Sequence, residues 1–241
     1  MGVPICRALA EHGAHVIIAD VNAKASEKAA ALLTGEGLLA EAACLDVSDE
    51  QAVTQAVVDI AEHHGRLDIA VNMTTYSTGK SMQEMTLADW NKGLAVSLGG
   101  AFVFSREVGK QMACQGHGSM IQFGSMYGKV SPDPRIYQPD MKVNPIDYGA
   151  AKAGIHQIVR YQAVMLARQG VRVNAVVPGP FPAVSGHGNN SDFVEKLSQK
   201  VPMGRVGKAP EIAGAVVFLA SDAASYITGT EIVVDGGWTA W

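Results

Sequence analysis

Short apolar segments alternate with helical segments along most of this chain, and this alternation is the strongest constraint on its fold. The segment 15–20 is nearly continuous in apolar residues, as strands covered on both faces require. Segments 40–45 and 68–72 have the length of further strands, and segments 23–35 and 49–64 between them have helical spacing. Helices and strands that alternate in this way predict an α/β fold with a doubly wound parallel sheet.

The composition indicates one domain with a sizeable core. Of the 241 residues, 48% are hydrophobic and 17% are charged, which excludes a disordered chain. A net charge of −4 provides no basic surface and argues against nucleic acid or anionic membrane as a partner. Since no linker, repeat or shift in composition divides the sequence, residues 1–241 are interpreted as a single unit.

Two further features of the sequence bear on its location. No apolar run reaches the ~18 residues that a membrane span needs. Cys6, Cys44 and Cys114 are odd in number and widely spaced, so they form no disulfide framework and no cysteine spacing typical of zinc sites. We therefore expect a cytoplasmic protein whose partner is a small molecule.

Tyr148 and Lys152 are the first candidates for chemistry. On a helix their i, i+4 spacing puts the phenol and the ammonium on one face. A cation about 4 Å from the phenol offers ~4 kcal/mol at an effective dielectric near 20, enough to lower the tyrosine pKa by ~3 units. The alternative is an ordinary, partly solvated Tyr–Lys pair, because this four-residue spacing is common.

Asp20 closes the strand of segment 15–20. An acid in this position of a dinucleotide fold accepts hydrogen bonds from the adenosine ribose and repels the additional phosphate of NADP. Val21 and Asn22 follow, so no cation directly offsets the carboxylate. The alternative is a surface aspartate that caps the next helix.

Several motifs, in this order and spacing, resemble the short-chain dehydrogenase/reductase family over essentially the whole chain. They are the run 7–20, Asp46-Val47, Tyr148 with Lys152, the turn 173–179, and Thr228-Gly229 followed by 234–237. The resemblance implies a Rossmann-like fold and an NAD-dependent oxidoreductase that interconverts a secondary alcohol and a ketone.

The resemblance also implies roles for individual residues. Tyr148 would transfer the proton, Lys152 would lower the tyrosine pKa and bind the nicotinamide ribose, and Ser125 would orient the substrate oxygen, unless it only caps a turn. Ser97 stands where relatives carry an asparagine of the proton relay. The implied NAD-binding positions are Gly2, Asp20, Asp46, Val47, Asn72, Tyr148, Lys152, Pro178 and Gly179.

The amino-terminal end departs from the family pattern. Met1 and Gly2 fall on the last two positions of a Gly-rich turn, so the first strand and two glycines that present amide hydrogens to a pyrophosphate are missing. That strand would be central, and its loss leaves two neighbouring strands with unpaired backbone groups. Two explanations stand: Met1 is an internal methionine of a longer reading frame, or the shortened chain has weak cofactor affinity.

Further departures support an alternative function. Thr74-Thr75 replaces a small Ala-Gly pair, Ser97 replaces asparagine, and Ala183 replaces a threonine. Together with the shortened start, they raise the hypothesis of a degenerate member that acts as a binding or assembly scaffold. The retained Ser125, Tyr148 and Lys152 argue for the enzyme.

Two segments are expected to border the substrate. Segment 127–146 is an inserted, Pro-rich loop, on which Asp133, Arg135 and Tyr137 are candidate contacts to a polar substrate. It resembles the loop of relatives linked to acidic sugars and polysaccharides, so a sugar or polyol is the expected substrate, while steroids and acyl carriers stay open. The alternative role for this loop is an oligomer contact or a solvated flap. Segment 182–205 is predicted to be a substrate lid.

The chain ends with aromatic residues that have the character of a subunit contact. Trp238 and Trp241 are expected to be exposed, and exposed terminal aromatics favour an interface between copies of the chain. We therefore expect a homo-oligomer, a dimer or the homotetramer that is common in the family.

Overall fold

Strands and helices alternate as the sequence predicts. The computed structural model describes residues 1–182 and 187–241. Its helices are α1 (Gly2–Glu11), α2 (Ala23–Gly35), α3 (Glu50–His64), α4 (Leu87–Leu94), α5 (Gly100–Gln115), α6 (Ile146–Leu166), α7 (Ser191–Lys200) and α8 (Ala213–Ala220). Its strands are β1 (Val16–Asp20), β2 (Ala40–Cys44), β3 (Ile69–Asn72), β4 (Gly118–Phe123), β5 (Val171–Pro178) and β6 (Glu231–Val234). The predicted α/β class is confirmed.

Local signals in the sequence explain where the helices begin and end. Asn22 caps α2 by accepting a hydrogen bond from the Ala25 amide, and Asp49 caps α3 in the same way. Gly65 ends α3 with a φ of 75°, a left-handed conformation that glycine adopts without steric cost.

All of the described strands pair in parallel, but they form two sheets rather than one. β1 pairs with β2, and β3, β4, β5 and β6 form a second sheet in that order. The doubly wound sheet is therefore divided between β1 and β3, each of which is an edge strand.

A cavity of about 950 Å³ lies along this division. Side chains of both edge strands line it, among them Ile17, Ile18 and Val71, and Met1 and Gly2 lie at its border. The predicted loss of strand pairing between two neighbouring strands is confirmed, because β1 and β3 each present one side to this cavity. We name this cavity the inter-sheet slot.

Helices cover both faces of the four-stranded sheet. On one face, α5 and α6 pack on β4 and β5 through Val108, Met112, Val159 and Ala163, all of which are buried. On the other face, α1 and α8 pack on the same strands through Ile5, Leu9, Val216 and Leu219. Since β4 and β5 are covered on both sides, their nearly continuous apolar sequences are explained.

The parallel order brings the carboxyl ends of the strands to one edge. Asp20, Asn72 and Pro178 are the last residues of β1, β3 and β5, and Ser125 follows β4 by two positions. Ligands of open parallel sheets bind outside this edge. The functional site is therefore expected at this edge of the sheet.

One expectation about the carboxyl terminus is wrong. Trp238 is buried, at 5% exposure, where it packs with Met126, Phe193 and Leu197, while Trp241 is 78% exposed. The tight turn through Gly236 and Gly237, both with positive φ, folds Trp238 inward. Homo-oligomer formation stays a prediction that Trp238 does not support.

None of the described helices combines the length and the apolar character that a membrane crossing requires.

The divided sheet generates a prediction about stability. An extended segment of about six apolar residues and a Gly-containing turn, joined ahead of Met1, should insert between β1 and β3 as a parallel strand. Burial of its side chains stabilises the fold by several kcal/mol before the cost of ordering, so we expect thermal unfolding to show Tm rising by about 5 °C or more. NAD affinity, measured by fluorescence titration, should rise too.

A control separates pairing from mere extension. A segment of equal length that alternates Asp and Lys cannot be buried in the apolar slot, and it should leave Tm unchanged. Equal Tm values for the apolar and the charged extension would contradict the prediction.

Candidate active site

Tyr148 and Lys152 lie on one face of α6, as their spacing predicts. Pro145 precedes this helix in an extended conformation, so both residues fall in its first two turns. Tyr148 is half-buried, and Lys152 is 3% exposed. The ammonium nitrogen of Lys152 is 5.8 Å from the centroid of the Tyr148 ring.

Ser125 joins this pair from the carboxyl end of β4. Its Oγ accepts a hydrogen bond from the Tyr127 amide at 3.1 Å and caps the 3₁₀ turn Met126–Gly128. The Tyr148 phenol is near enough to this hydroxyl for Ser125 to lower the tyrosine pKa. Ser125 therefore caps the turn, and its role in orienting the substrate oxygen stays a prediction.

Close backbone contact between the 126–128 turn and α6 holds Ser125 in place. A Cβ atom on Gly128 would lie 2.9 Å from the Ala153 amide nitrogen, and one on Gly149 would lie 3.0 Å from the Tyr127 carbonyl oxygen. Only glycine permits such contact without displacement of the backbone. These two glycines thus allow residues that are far apart in sequence to meet.

Lys152 is bonded to the main chain of the sheet. Its Nζ donates a hydrogen bond to the Phe123 carbonyl oxygen at 2.8 Å. Burial lowers the pKa of Lys152 from its ordinary value of 10.5 to about 8, because the charged form loses solvation. The ammonium therefore titrates much closer to neutral pH than an exposed lysine does.

The pKa of Tyr148 shifts in the direction opposite to our expectation. Burial raises the Tyr148 pKa above 10.0, and the hydrogen bond with Ser125 opposes this rise only in part. Lys152, whose Nζ is bonded to Phe123, is not among the groups that shift it. The expected lowering by Lys152 is therefore wrong for the protein by itself, and the phenol is protonated at neutral pH.

Asp147 is a buried group of the site that the sequence analysis missed. It is 1% exposed, and its carboxylate accepts hydrogen bonds from the Ser77 hydroxyl at 3.0 Å and from the Thr78 amide at 3.1 Å. It also accepts the Tyr148 amide at 3.0 Å. Asp147 thus fixes segment 76–78 against the start of α6, and its place beside Tyr148 was the only signal in the sequence.

Ser97 serves the same segment rather than a proton relay. It is fully buried in the π-helical turn Ala95–Gly99. Its Oγ donates to the Tyr76 carbonyl at 2.7 Å and accepts from the Tyr76 amide at 2.8 Å. Because the single hydroxyl proton is used by Tyr76, this arrangement contradicts the proposed catalytic role and indicates a structural anchor.

Asp20 is exposed at the end of β1, as predicted. Its Oδ1 accepts a hydrogen bond from the Asn22 amide at 2.8 Å, and Oδ2 has no hydrogen-bond partner among the described residues. Asn22, not Asp20, caps α2, so the alternative role as a helix cap is wrong. In the described part of the chain no ion pair includes Asp20, whose carboxylate can thus accept hydroxyl groups.

The Asp46-Val47 pair has structural contacts of its own. Asp46 Oδ1 accepts both the amide and the hydroxyl of Ser48, and the hydroxyl bond is the main reason that the Asp46 pKa lies below its ordinary value. Val47 is buried against Gly100, on which a Cβ atom would lie 2.8 Å from Val47 Cγ2. The side chains of both residues stabilise the β2–α3 connection.

Asn72 also uses its side chain within the protein. Its Nδ2 donates to Gln122 Oε1 at 3.0 Å, and its Oδ1 accepts both the amide and the hydroxyl of Thr74. This buried amide has a partner on each of its polar atoms, so the side chain orders the loop after β3, and its role toward a cofactor stays a prediction. Thr74, one of the residues that departs from the family pattern, is the partner that orders this loop.

The remaining predicted cofactor positions are Gly2, Pro178 and Gly179. Gly179 donates its amide to the Val234 carbonyl at 2.9 Å, and a Cβ atom there would lie 2.5 Å from Asp235 Cα. Pro178 ends β5 opposite Val234. Gly2 begins α1, where the first amides of a helix have no intrahelical acceptor. Ala183 lies outside the described residues.

The inserted loop and the predicted lid are held together by polar pairs. Gln138 and Asn190 exchange two hydrogen bonds of 3.4 and 3.1 Å. Asp133 pairs with both Arg135 and Lys200. Asp133 thus joins the loop 127–146 to α7 through Lys200, while Arg135 pairs with Asp133 inside the loop and is itself exposed.

Tyr137 is the third loop residue that was expected to contact substrate. Its hydroxyl is 3.2 Å from the hydroxyl of Tyr127, and its ring packs on Phe193 with centroids 5.5 Å apart. Residues 183–186 of the predicted lid lie outside the described part of the chain. The boundaries of the loop and of the lid stay predictions.

Known proteins are similar to this chain over essentially its full length. A family model described as enoyl-(acyl carrier protein) reductase matches residues 1–239. A galactitol 2-dehydrogenase (L-tagatose-forming) of Cereibacter sphaeroides is 36% identical over 243 residues, which cover 100% of this chain and 91% of that protein. A D-threitol dehydrogenase of Mycolicibacterium smegmatis is 34% identical and covers 99% and 88% of the two chains.

The fold is similar to solved structures as well. A gluconate 5-dehydrogenase from Burkholderia cenocepacia, in complex with NADP and tartrate, aligns with a TM-score of 0.88 at 28% identity. The alignment covers 100% of this chain and 91% of that one.

The buried ammonium generates a prediction about pH. The folded protein releases the Lys152 proton near pH 8 and the unfolded chain releases it near 10.5, so between these values the unfolded state holds more protons. The contribution of Lys152 to stability therefore rises with pH across this window, by about 3 kcal/mol in total. Urea unfolding measures the free energy of unfolding of the wild type and of Lys152→Met. Between pH 8 and 10 the wild type should gain stability relative to Lys152→Met as the pH rises.

The exposed Lys110 on α5 provides the control for this measurement. Lys110→Met should leave the pH dependence of the wild type unchanged. A Lys152→Met protein whose stability follows the same pH profile as the wild type would refute the prediction.

Proposed function

The chain belongs to the short-chain dehydrogenase/reductase family, and we propose that it is an NAD-dependent dehydrogenase that interconverts a secondary alcohol of a sugar or polyol and its ketone. One observation carries the proposal. Ser125, Tyr148 and Lys152 lie together at the carboxyl edge of the parallel sheet, where Lys152 of α6 donates a hydrogen bond to the Phe123 carbonyl of β4. A nicotinamide cofactor supplies the hydride chemistry when it is bound.

Tyr148 moves the proton at the substrate oxygen. Since burial raises its pKa, the phenol is in the protonated form that donates to a ketone oxygen during reduction. For oxidation the same group must first lose its proton, so the binding of ligands beside it has to lower its pKa. Ser125, whose hydroxyl lies near the phenol, holds the substrate oxygen at the point of transfer.

Lys152 provides the positive charge that this shift requires. Its ammonium is buried one turn from Tyr148, and a buried charge acts through a lower effective dielectric than an exposed one. The bond to Phe123 holds Nζ at the base of the site and uses one of its three hydrogens, which leaves two that would bind ribose hydroxyls of the cofactor.

The substrate class rests on the relatives. Two of them are named as dehydrogenases of galactitol and of D-threitol, both of which are sugar alcohols. These names support a polyhydroxylated substrate for this chain too. The alternative of a non-catalytic scaffold has no support among the relatives that are described above.

The choice of NAD rests on Asp20. Its exposed carboxylate has one free oxygen and no cationic partner among the described residues, which suits the paired hydroxyls of an adenosine ribose. The 2′-phosphate of NADP would be repelled. Because the related gluconate 5-dehydrogenase binds NADP, family membership by itself does not decide between the two cofactors.

Tyr148→Phe tests the catalytic assignment. Loss of the phenolic proton should lower kcat by about 10²-fold or more in assays of NAD reduction with galactitol, threitol and other polyols. The change of a single oxygen atom should leave the fold intact, as circular dichroism and Tm will show.

Tyr161→Phe is the matched control, because Tyr161 lies on the same helix and is 60% exposed. It should keep the activity of the wild type. Equal rates in the wild type and in Tyr148→Phe would exclude the enzyme interpretation and favour the scaffold.

Asp20→Ala tests the cofactor assignment. Loss of hydrogen bonds to a charged acceptor should raise the Kd for NAD by about tenfold or more, and loss of the negative charge should improve binding of NADP. Isothermal titration with each cofactor measures both effects.

Asp59→Ala provides the control, since Asp59 is an exposed carboxylate on α3 that is bonded only to Gln55. It should not change the ratio of the two affinities. If Asp20→Ala also leaves this ratio unchanged, Asp20 does not select the cofactor.

A further inference from the structure

A second cluster of ligand-type side chains lies at the edge of the sheet opposite the active site. His15 directly precedes β1, Glu41 is the second residue of β2, and His64 is the last residue of α3. These positions are at the amino ends of the strands, whereas Ser125 follows the carboxyl end of β4. A five-residue strand spans ~16 Å, so the cluster is separated from the proton-transfer residues by about the length of the sheet.

The three side chains converge on one point. Glu41 Oε1 is 2.9 Å from His15 Nε2, and Glu41 Oε2 is 3.8 Å from His64 Nε2. The two imidazole rings meet edge to face, with centroids 4.8 Å apart. One ligand atom from each residue lies within 4.8 Å of the other two.

The donor set has the chemistry of a zinc site. Zn²⁺ binds imidazole nitrogen and carboxylate oxygen at about 2.0–2.2 Å in tetrahedral geometry, with neighbouring donors about 3.4 Å apart. The tips of the three side chains need to move by only about 1.5 Å to reach such spacing. The backbone positions of His15 and Glu41 are fixed by the parallel register that pairs Ile17 with Glu41.

We propose that His15, Glu41 and His64 form a binding site for a divalent transition metal, with Zn²⁺ as the ion that fits its ligands best. Two imidazoles and one carboxylate provide three protein ligands and leave the fourth position to water. The partial exposure of the cluster gives the ion direct access from solvent.

The position of the site in the fold indicates what the metal does. β1 and β2 pack in their own core with Ala10, Ala30 and Leu33. α3 packs instead on the four-stranded sheet, where Val57 contacts the core that contains Val108. A metal held by His15, Glu41 and His64 therefore joins the two-stranded sheet to the rest of the protein across the division of the sheet.

The inter-sheet slot makes such a link effective. His15 and His64 both line the slot, and no described strand pairs β1 with β3. A cross-link between two sheets whose facing strands are not hydrogen-bonded to each other stabilises the arrangement in which they are close. The metal thus has a structural role, separate from the chemistry at Tyr148.

Titration with ZnCl₂ by isothermal calorimetry tests the site. Cys44 and Cys114 are exposed thiols that also bind zinc, so every protein carries Cys44→Ser and Cys114→Ser. We expect one Zn²⁺ per chain with a micromolar or lower Kd. At a free Zn²⁺ concentration a hundredfold above Kd, Tm should rise by about 5–10 °C.

Removal of one ligand identifies the residues. His15→Gln, Glu41→Gln and His64→Gln should each weaken binding by at least tenfold and abolish the rise in Tm. Two controls should keep both effects: His12→Gln, on the exposed end of α1, and His63→Gln, whose ring lies 4.7 Å from that of His64 but outside the cluster.

Three results would overturn the proposal. They are the absence of saturable Zn²⁺ binding at micromolar concentrations, unchanged binding after substitution of the cluster residues, and loss of binding in the His12→Gln control. The first result would leave His15 and His64 as simple ion-pair partners of Glu41.

Discussion

The hydrogen bond from the buried ammonium of Lys152 to the Phe123 carbonyl connects the two elements on which the active site depends. It ties α6 to the carboxyl end of β4, so that Ser125, two residues beyond Phe123, lies beside Tyr148, one turn before Lys152. Burial makes this charge costly, and the fall in its pKa to about 8 expresses that cost.

Around this bond, several buried polar groups hold the surroundings of Tyr148 instead of taking part in the chemistry. Asp147 and Ser97 both fix the segment that follows β3, and Asn72 with Thr74 orders its beginning. The residues that depart from the family pattern at these positions thus have defined partners. A changed residue with satisfied hydrogen bonds is compatible with an active enzyme, so these departures are weaker support for a degenerate scaffold than they were in the sequence alone.

The proton-transfer half of the site and the cofactor half differ in completeness. Ser125, Tyr148 and Lys152 are joined within one packed region of β4 and α6. On the cofactor side, Asp20 lies at the end of β1 in the two-stranded sheet. No described strand connects this sheet to β3 of the four-stranded sheet. The relative position of these two halves is set by helix packing across the slot, which is why stability and cofactor affinity are expected to change together.

The sequence by itself determined the elements and the identity of the Tyr–Lys pair, because helical and strand periodicity and an i, i+4 spacing are local properties. It also located Asp20 at a strand end and predicted that two neighbouring strands have unpaired backbone groups. Only the tertiary structure decided the burial of Trp238, the hydrogen bonds that occupy Ser97, Asn72 and Asp133, and the role of Asp147. It also reversed the expected direction of the Tyr148 pKa shift. Each of these features depends on contacts between residues far apart in the chain and on the solvent that those contacts exclude. Local spacing in the sequence encodes neither the contacts nor the exclusion of solvent.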